Sequence, residues 1–413
     1  MKYLLVIGDG MADNPVPALG DKTPLEYADI PYIDALAARG TVGSVCNCPK
    51  PLPPGSDTAI LSILGNDPKT CYTGRSPLEA AATGIVLSPG DVSYRCNMVA
   101  LEDGKQPFEE KKILSHSGGS IDGEASVALI SYLMDQPEFR AAAQAAGMTI
   151  HPAPSFRHIA VQTGADIAGI KLIPPHDHLG EVIGPLLPAG CANAATLKAL
   201  MALANRLLDH HPINESRRAE GKLPANGIWF WAEGTGVALE SFWEKYHKKG
   251  LVISAVPLCH GIARLSGLDI IQVEGATGEL DTNYENKAAA ALAALRGSEY
   301  DFVALHIEAS DECTHNGDLK GKLQAIEWLD TRTLRPICET LKEEGIDFRL
   351  LFLSDHKTLT ATRGHDGDPV PYLLYDSRED TGRGLPMTEK SGEQGPFLPE
   401  GADSLMPLLF AQS

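Results

Sequence analysis

The stretch Lys2-Tyr3-Leu4-Leu5-Val6-Ile7 runs straight into Gly8-Asp9-Gly10, and the chain repeats that arrangement twice more. Phe302-Val303-Ala304-Leu305-His306-Ile307 leads into Glu308, Asp311 and His315. Phe348-Arg349-Leu350-Leu351-Phe352-Leu353 leads into Ser354-Asp355-His356, with His365 a short way on. Short apolar runs of this kind suit strands of a parallel sheet buried on both faces. The carboxyl ends of such strands share one edge, where ligands bind. Residues from opposite ends of the chain can therefore meet there: Asp9, Asp311 and Asp355 with His315, His356 and His365.

Carboxylate and imidazole without thiolate suit Mn²⁺, Mg²⁺ or Zn²⁺ as a Lewis acid. Two such ions about 3.5–4 Å apart can clamp a phosphoryl group together with its attacking oxygen. Asp311 and His315 lie four apart, so one helical turn puts both on the same side. Taken singly, an Asp-Gly after a strand is a turn and a lone histidine is hydrogen-bonded structure. Six such residues buried together without a partner would be costly, which favours a metal site.

Around these runs the chain alternates. A helix over Pro31–Arg39 is expected to stop at Gly40, followed by a strand over Thr41–Cys46 and an apolar helix over Thr58–Leu64. Further on come strands at Leu251–Val256 and Ile270–Val273, an Ala-rich helix at Asn286–Leu295, a long amphipathic helix over Lys322–Glu344, and a strand at Pro371–Tyr375. Such alternation predicts an α/β fold, a doubly wound and mostly parallel sheet. The middle of the chain differs, with Gly/Ser turns at Ser117–Ser120 and polar helices around residues 192–220. It reads as an inserted substrate-binding domain over residues 96–249, splitting a metal-binding catalytic domain into residues 1–95 and 250–413.

The bulk composition narrows the class. In 413 residues, 54 acidic against 35 basic side chains give a net charge of −19, which argues against a nucleic-acid or anionic-membrane binder. The apolar run at the N-terminus is too short for an export signal, and no stretch approaches a membrane span. Eight cysteines without a CxxC pair form neither a disulfide framework nor a zinc site. A reduced cytoplasmic enzyme is the expectation, with oligomeric state left open.

Ser56 is the candidate catalytic nucleophile. It follows Pro53-Pro54-Gly55 and precedes an apolar helix, where free N–H groups favour an oxyanion. The same position suits an ordinary N-cap; beside two metals, a seryl oxygen attacking phosphorus is the better account. Arg75, Arg157 with the adjoining His158, and Lys287 are the substrate-binding candidates, each beside a turn or strand end, and Arg363 is a further phosphate candidate. His176-Asp177-His178 reads as an ordered turn, His210-His211 as solvated, and Lys111-Lys112 and Arg217-Arg218 as surface charge.

At these residues a family resemblance emerges. Ile7-Gly8-Asp9-Gly10-Met11-Ala12-Asp13, Pro54-Gly55-Ser56-Asp57-Thr58-Ala59, Tyr72-Thr73-Gly74-Arg75-Ser76-Pro77-Leu78-Glu79-Ala80-Ala81, Leu305-His306-Ile307-Glu308-Ala309-Ser310-Asp311 and Ser354-Asp355-His356 resemble the archaeal-type cofactor-independent phosphoglycerate mutases of the alkaline phosphatase superfamily. The resemblance implies an alkaline-phosphatase-like sheet with an inserted smaller α+β domain. It implies two divalent ions, Mn²⁺ foremost with Mg²⁺, Zn²⁺ or Co²⁺ compatible, and no need for 2,3-bisphosphoglycerate. One ion would be held by Asp9, Ser56, Asp355 and His356, the other by Asp311, His315 and His365. Ser56 would take the phosphoryl group of 3-phosphoglycerate and return it to the 2-hydroxyl of the reoriented glycerate. The chain also departs from that family. Ser115-His116-Ser117-Gly118-Gly119-Ser120 stands where mutases carry an Asp-Arg-Arg-Ala-Gly-Arg stretch, and Trp231-Ala232-Glu233-Gly234 stands near an Arg-Gly-Ala-Gly-like segment. The usual Asp-His-x-Thr-Pro is Asp355-His356-Lys357-Thr358-Leu359. Trp229-Phe230-Trp231 is similar to a bacterial branch proposed to include homoserine kinases, so a phosphotransferase acting on homoserine, or a phosphatase, is the alternative expectation.

Overall fold

The Lys2–Gly8 strand lies near the middle of an eight-stranded sheet, parallel to Phe302–Ile307 on one side and to Phe348–Leu353 on the other. Beyond Phe302–Ile307 come Gly250–Ile253 and the edge strand Asp269–Ile271, both parallel. In the other direction Val370–Asp376 and Thr41–Val45 pair antiparallel, and Phe397–Leu398 adds a parallel edge. The sheet is thus mixed and mostly parallel, as the apolar runs predict. Register sets the position of the strand ends: Ile7 stands opposite both His306 and Leu353. The chain therefore leaves all three strands at one level, and Asp9, Glu308 and Asp355 emerge side by side.

This is a computed structural model describing residues 1–411, and the chain divides into two compact units. The sheet above belongs to the first, Met1–Tyr72 with Ala238–Ser413; the second is Thr73–Val237. Both faces of the central strands are covered. Leu4, Val6, Val303, Leu305, Leu350 and Phe352 pack against Ile33, Leu36, Ala291, Leu295, Ile326 and Ile337 of the flanking helices. On the other face Tyr3 and Phe302 meet the rings of Phe410 and Phe242. Each such side chain stabilises the fold by about 1.5–3 kcal/mol, and strands so buried tolerate no slip of register.

Two helices differ in detail from expectation. Pro31–Arg39 is helical as predicted, but Gly40 has φ −101°, not a left-handed stop. What requires glycine there is the neighbouring strand, since a Cβ would come 2.4 Å from the carbonyl oxygen of Leu374. The long amphipathic helix is α-helical over Leu319–Trp328 and Arg335–Glu343, with a π-helical turn over Leu329–Leu334 between them. Pro336 lacks an N–H and its ring crowds the preceding turn, which a widened turn accommodates. Asp330 of that turn accepts the N–H of Ile33 at 2.6 Å and ties the two helices together.

The second unit is α+β. Asp91–Leu101 lies between Arg157–Thr163 and Gly227–Thr235, with Met148–His151 outside and Ile113–Ser115 at one end, all antiparallel. Helices Gly123–Asp135, Pro137–Ala145 and Asn193–Leu208 fill its core with Leu129, Leu133, Phe139, Leu197 and Met201. The junctions at 72/73 and 237/238 differ from the 95/96 and 249/250 read in the sequence. Asp91–Leu101 is one unbroken strand of the second unit, and Ser76 of the preceding helix bonds to Ser93 within it at 2.9 Å. Two basic pairs read as surface charge are partly structural. Arg217 is buried and donates to the carbonyls of Gly118, Gly119 and Leu223. Lys111 is buried and donates to those of Glu102 and Gly104. His211 accepts from Ile213 N–H as a helix cap. No helix among the described residues is long and apolar enough to cross a membrane.

His158 is fully buried, accepting from Ala153 N–H at Nδ1 (3.0 Å) with Nε2 2.9 Å from Ser126 Oγ. It therefore sits as the neutral Nε2–H tautomer, and burial pushes its pKa down to about 4. Below pH 6.5 the unfolded chain gains this proton while the folded chain does not, so stability falls as pH drops from 6.5 towards 4. The full effect is about 3 kcal/mol. Denaturant unfolding between pH 4 and 7 should show a steeper loss for the native chain than for His158→Gln.

Candidate active site

The edge formed by the strand ends gathers the predicted residues into two adjoining groups. Asp311 opens onto the helix Ala309–His315, whose single turn brings His315 Nε2 to 3.1 Å from Asp311 Oδ2. His365 comes from the short Gly364–Asp366 strand, its Nε2 3.0 Å from His315 Nε2 and 3.5 Å from Asp311 Oδ1. His315 Nδ1 donates to the Arg363 carbonyl at 2.8 Å, which fixes the ring with Nε2 towards the group. The Asp311 hydrogen bond raises the His315 pKa to about 9. Burial would raise Asp311 itself, but His315 and His365 outweigh it and hold that carboxyl well below the carboxylate range.

The second group is Asp9, Asp355, His356 and Ser56. His356 Nε2 lies 3.2 Å from Asp355 Oδ2, 3.6 Å from Asp9 Oδ1 and 3.2 Å from Ser56 Oγ. Asp9, Asp311 and His356 offer ligand atoms within 4.8 Å of one another, which joins the two groups. Asp355 Oδ1 accepts from the N–H groups of Gly10 and His356. Asp9 Oδ1 and Asp355 Oδ2, by contrast, are buried without a hydrogen-bond partner among the described residues. Burial, then the nearby Asp355 and Asp311, pushes the Asp9 carboxyl well above its ordinary value. Buried carboxylate oxygens left bare beside imidazole nitrogens are what a divalent cation satisfies, so the donor set fits the expected ions.

Gly10 makes the assembly possible. Its φ is +59°, and a Cβ would lie 2.4 Å from Thr358 Oγ1 and 2.6 Å from Asp311 Oδ1. Ser56 is the first residue of the helix Ser56–Ile63, and its N-cap is Gly55. Its hydroxyl therefore does no capping and instead lies 3.3 Å from Asp9 Oδ2 and 3.2 Å from His356 Nε2. Thr58 bonds back to the Gly55 carbonyl in that turn at 3.1 Å.

Several contributors were not legible as site residues. His306 is buried with Nε2 3.0 Å from Asp9 Oδ2 and Nδ1 3.2 Å from Glu308 Oε1. Its only signal in the sequence is a histidine near the carboxyl end of an otherwise apolar strand. Lys287, expected at the substrate, is instead fully buried and paired with Glu308 Oε2 at 2.6 Å; its charge balances the carboxylate behind Asp9. Asn47 donates to the Asp355 carbonyl at 2.9 Å. Lys322, buried, pairs with Asp13 at 3.0 Å and donates to the Thr358 carbonyl at 2.7 Å, anchoring the segment that carries Thr358 and His365.

The remaining candidates lie in the second unit. His158 is in its core, with both ring nitrogens engaged, so it presents no free nitrogen to a ligand. Arg75 is half-exposed and 3.4 Å from Glu79, which also holds Arg95 in a two-toothed pair. Arg95 and Arg157 stand 4.6 and 5.7 Å from the ring of Trp231. Arg157 Nε and His116 Nδ1 are buried without a partner among the described residues. Burial and the neighbouring Arg95 lower the Arg157 pKa.

Comparison with known proteins bears on this geometry. Residues 37–214 match the family model for 2,3-bisphosphoglycerate-independent phosphoglycerate mutase. A probable 2,3-bisphosphoglycerate-independent phosphoglycerate mutase of Geobacter sulfurreducens is 40% identical over 99% of both chains. The enzyme of that name from Methanosarcina mazei is 41% identical over 91% of this chain and 90% of its own. Among solved structures, a Pyrococcus horikoshii protein superposes with TM-score 0.78 at 30% identity, covering 100% of this chain and 98% of the other. The cofactor-independent phosphoglycerate mutase of Thermoplasma acidophilum gives TM-score 0.65 at 27% identity over 99% of each.

Gly10→Ala tests the packing of the site. The added methyl must displace Thr358 or Asp311 at a left-handed φ, so a loss of about 1–3 kcal/mol is expected. Mn²⁺ binding followed by calorimetry should weaken at the same time, and a variant matching the native chain in both would refute the account.

Proposed function

The chain belongs to the 2,3-bisphosphoglycerate-independent phosphoglycerate mutase family, and on that premise we propose that it interconverts 3-phosphoglycerate and 2-phosphoglycerate through a phosphoryl group carried by Ser56. The observation that carries this reading is the Ser56 hydroxyl, released from capping and set between Asp9 Oδ2 and His356 Nε2. Asp9, Asp355, His356 and Ser56 would hold one divalent ion and Asp311, His315 and His365 the other, Mn²⁺ foremost; such ions lower the proton affinity of Oγ and neutralise phosphoryl oxygens.

The chain's own groups do the rest. Ser56 Oγ attacks phosphorus and gives its proton to one of the two acceptors beside it; the bond from phosphorus to the 3-oxygen breaks, and that oxygen takes the proton from the acceptor, so glycerate leaves as the alcohol. The N–H groups that open the helix Ser56–Ile63 favour negative phosphoryl oxygens beside Ser56. In the return step the 2-hydroxyl attacks, the Oγ–phosphorus bond breaks, and the serine hydroxyl is restored. No second phosphorylated cofactor enters this balance. Lys287, Glu308 and His306 act at one remove by orienting Asp9.

Arg75 and Arg157 of the second unit are the anion-binding groups we propose. Arg157 in particular has a buried Nε without a partner among the described residues, and its guanidinium carbon lies 5.4 Å from the Phe156 ring and 5.7 Å from the Trp231 ring. A planar cation so placed suits a carboxylate or phosphate. His116, from the segment that lacks the family's arginines, lies with its ring 5.8 Å from Phe156. All eight cysteines are free thiols, consistent with a reducing cytoplasm.

In an enolase-coupled assay the Mn²⁺-loaded protein should convert 3-phosphoglycerate, and Ser56→Ala should lose at least about 10³-fold in kcat. Mass spectrometry should place a trapped phosphoryl group on Ser56. Phosphorylation of homoserine with no mutase turnover would overturn the assignment, and full activity in the alanine variant would remove the nucleophile. Arg157→Met should raise KM about 10- to 100-fold, the worth of a charge-assisted anion contact.

A further inference from the structure

Thr358 places one hydroxyl between the two ligand groups. Its side chain is fully buried, with Oγ1 2.5 Å from Asp311 Oδ1 and 3.2 Å from His356 Nδ1. A threonine hydroxyl has one proton to give and two lone pairs to receive. A carboxylate oxygen can only accept, so the proton goes to Asp311. The contact with His356 is then satisfied only if Nδ1 carries the hydrogen and donates to Oγ1. The Lys357 carbonyl, 3.3 Å from the same nitrogen, is also an acceptor and asks for the same hydrogen. A neutral ring with its proton on Nδ1 has a bare Nε2, and that atom is the one 3.2 Å from Ser56 Oγ.

We propose that Thr358 is a positioning residue that links Asp311 to the tautomer of His356, holding the Nε2 lone pair of His356 towards Ser56 and the second ligand group. The backbone is built to keep it there. Thr358 N–H donates to the Ala12 carbonyl at 3.1 Å, and its own carbonyl accepts from Lys322 Nζ at 2.7 Å, itself paired with Asp13. The absent side chain of Gly10 leaves the space that Oγ1 occupies. The two ligand groups are thereby tied through a hydrogen bond of defined direction, and a change in Asp311 is felt at His356.

The link rests on the functional reading only for its consequence at Ser56, so its test uses neither substrate nor turnover. Thr358→Val keeps shape and volume and removes the hydroxyl, whereas Thr358→Ser keeps the hydroxyl. Nitrogen-15 NMR of the imidazoles should show His356 as the Nδ1–H tautomer in the native chain and the serine variant, and as a mixture in the valine variant. Titration with Mn²⁺ should show one of two binding events weakened about 10-fold in the valine variant and restored by serine. A circular-dichroism melt establishes that the variants are folded. An Nε2–H tautomer in the native chain, or a valine variant with native tautomer and native Mn²⁺ binding, would overturn the proposal. A protein that passes this test yet fails to convert 3-phosphoglycerate would count against the function and leave the link standing.

Discussion

Three carboxylates share one buried pocket in this protein, and most of the structure around them exists to make that tolerable. Unpaired burial of a charge costs far more than any single interaction in the fold returns. Two of the three carboxylates each keep a bare oxygen, Asp9 Oδ1 and Asp355 Oδ2, while their other oxygens are bound by His306 and by backbone N–H groups. The third, Asp311, is ringed by His315, His365 and Thr358. The arrangement distinguishes oxygens that hold the group in place from oxygens that are left bare.

That distinction depends on rigid supports. The parallel register brings Ile7, His306 and Leu353 to one level, and full burial of both sheet faces forbids its slipping. Behind Asp9, the chain of His306, Glu308 and Lys287 alternates charge so that no member is left uncompensated. Behind the His365 hairpin, Lys322 and Asp13 do the same. Both lysines are fully buried, and each stands one step away from a candidate ligand, not in contact with a ligand of its own.

The strands and the ligand types were legible because they are local. An apolar run followed by Asp or His says where a strand stops and what it presents, and Asp311 with His315 needs only one helical turn. Ser56 was legible as a position but not as a role, since a serine before a helix is most simply a cap. In the structure Gly55 is the cap, and the Ser56 hydroxyl lies beside Asp9 and His356 instead. Lys287 and His158 were misplaced for the same underlying reason: a basic residue near a turn or strand end looks alike in sequence whether it faces solvent or a buried partner. His306 passed unseen inside an apolar strand, because alternation is lost where both faces are buried.

The sequence by itself determined a parallel-rich α/β unit, a second unit of different character, and a carboxylate–imidazole inventory of the kind that divalent cations bind. These come from hydrophobic period, residue chemistry and short-range spacing. Only the tertiary structure decided which oxygens are bare, which basic groups serve a buried carboxylate, and that Thr358 stands between Asp311 and His356. Hydrogen-bond direction and charge compensation are properties of atoms a few ångströms apart, and residues such as Asp9 and Asp355, or Gly10 and Thr358, come that close only when distant strands lock into register.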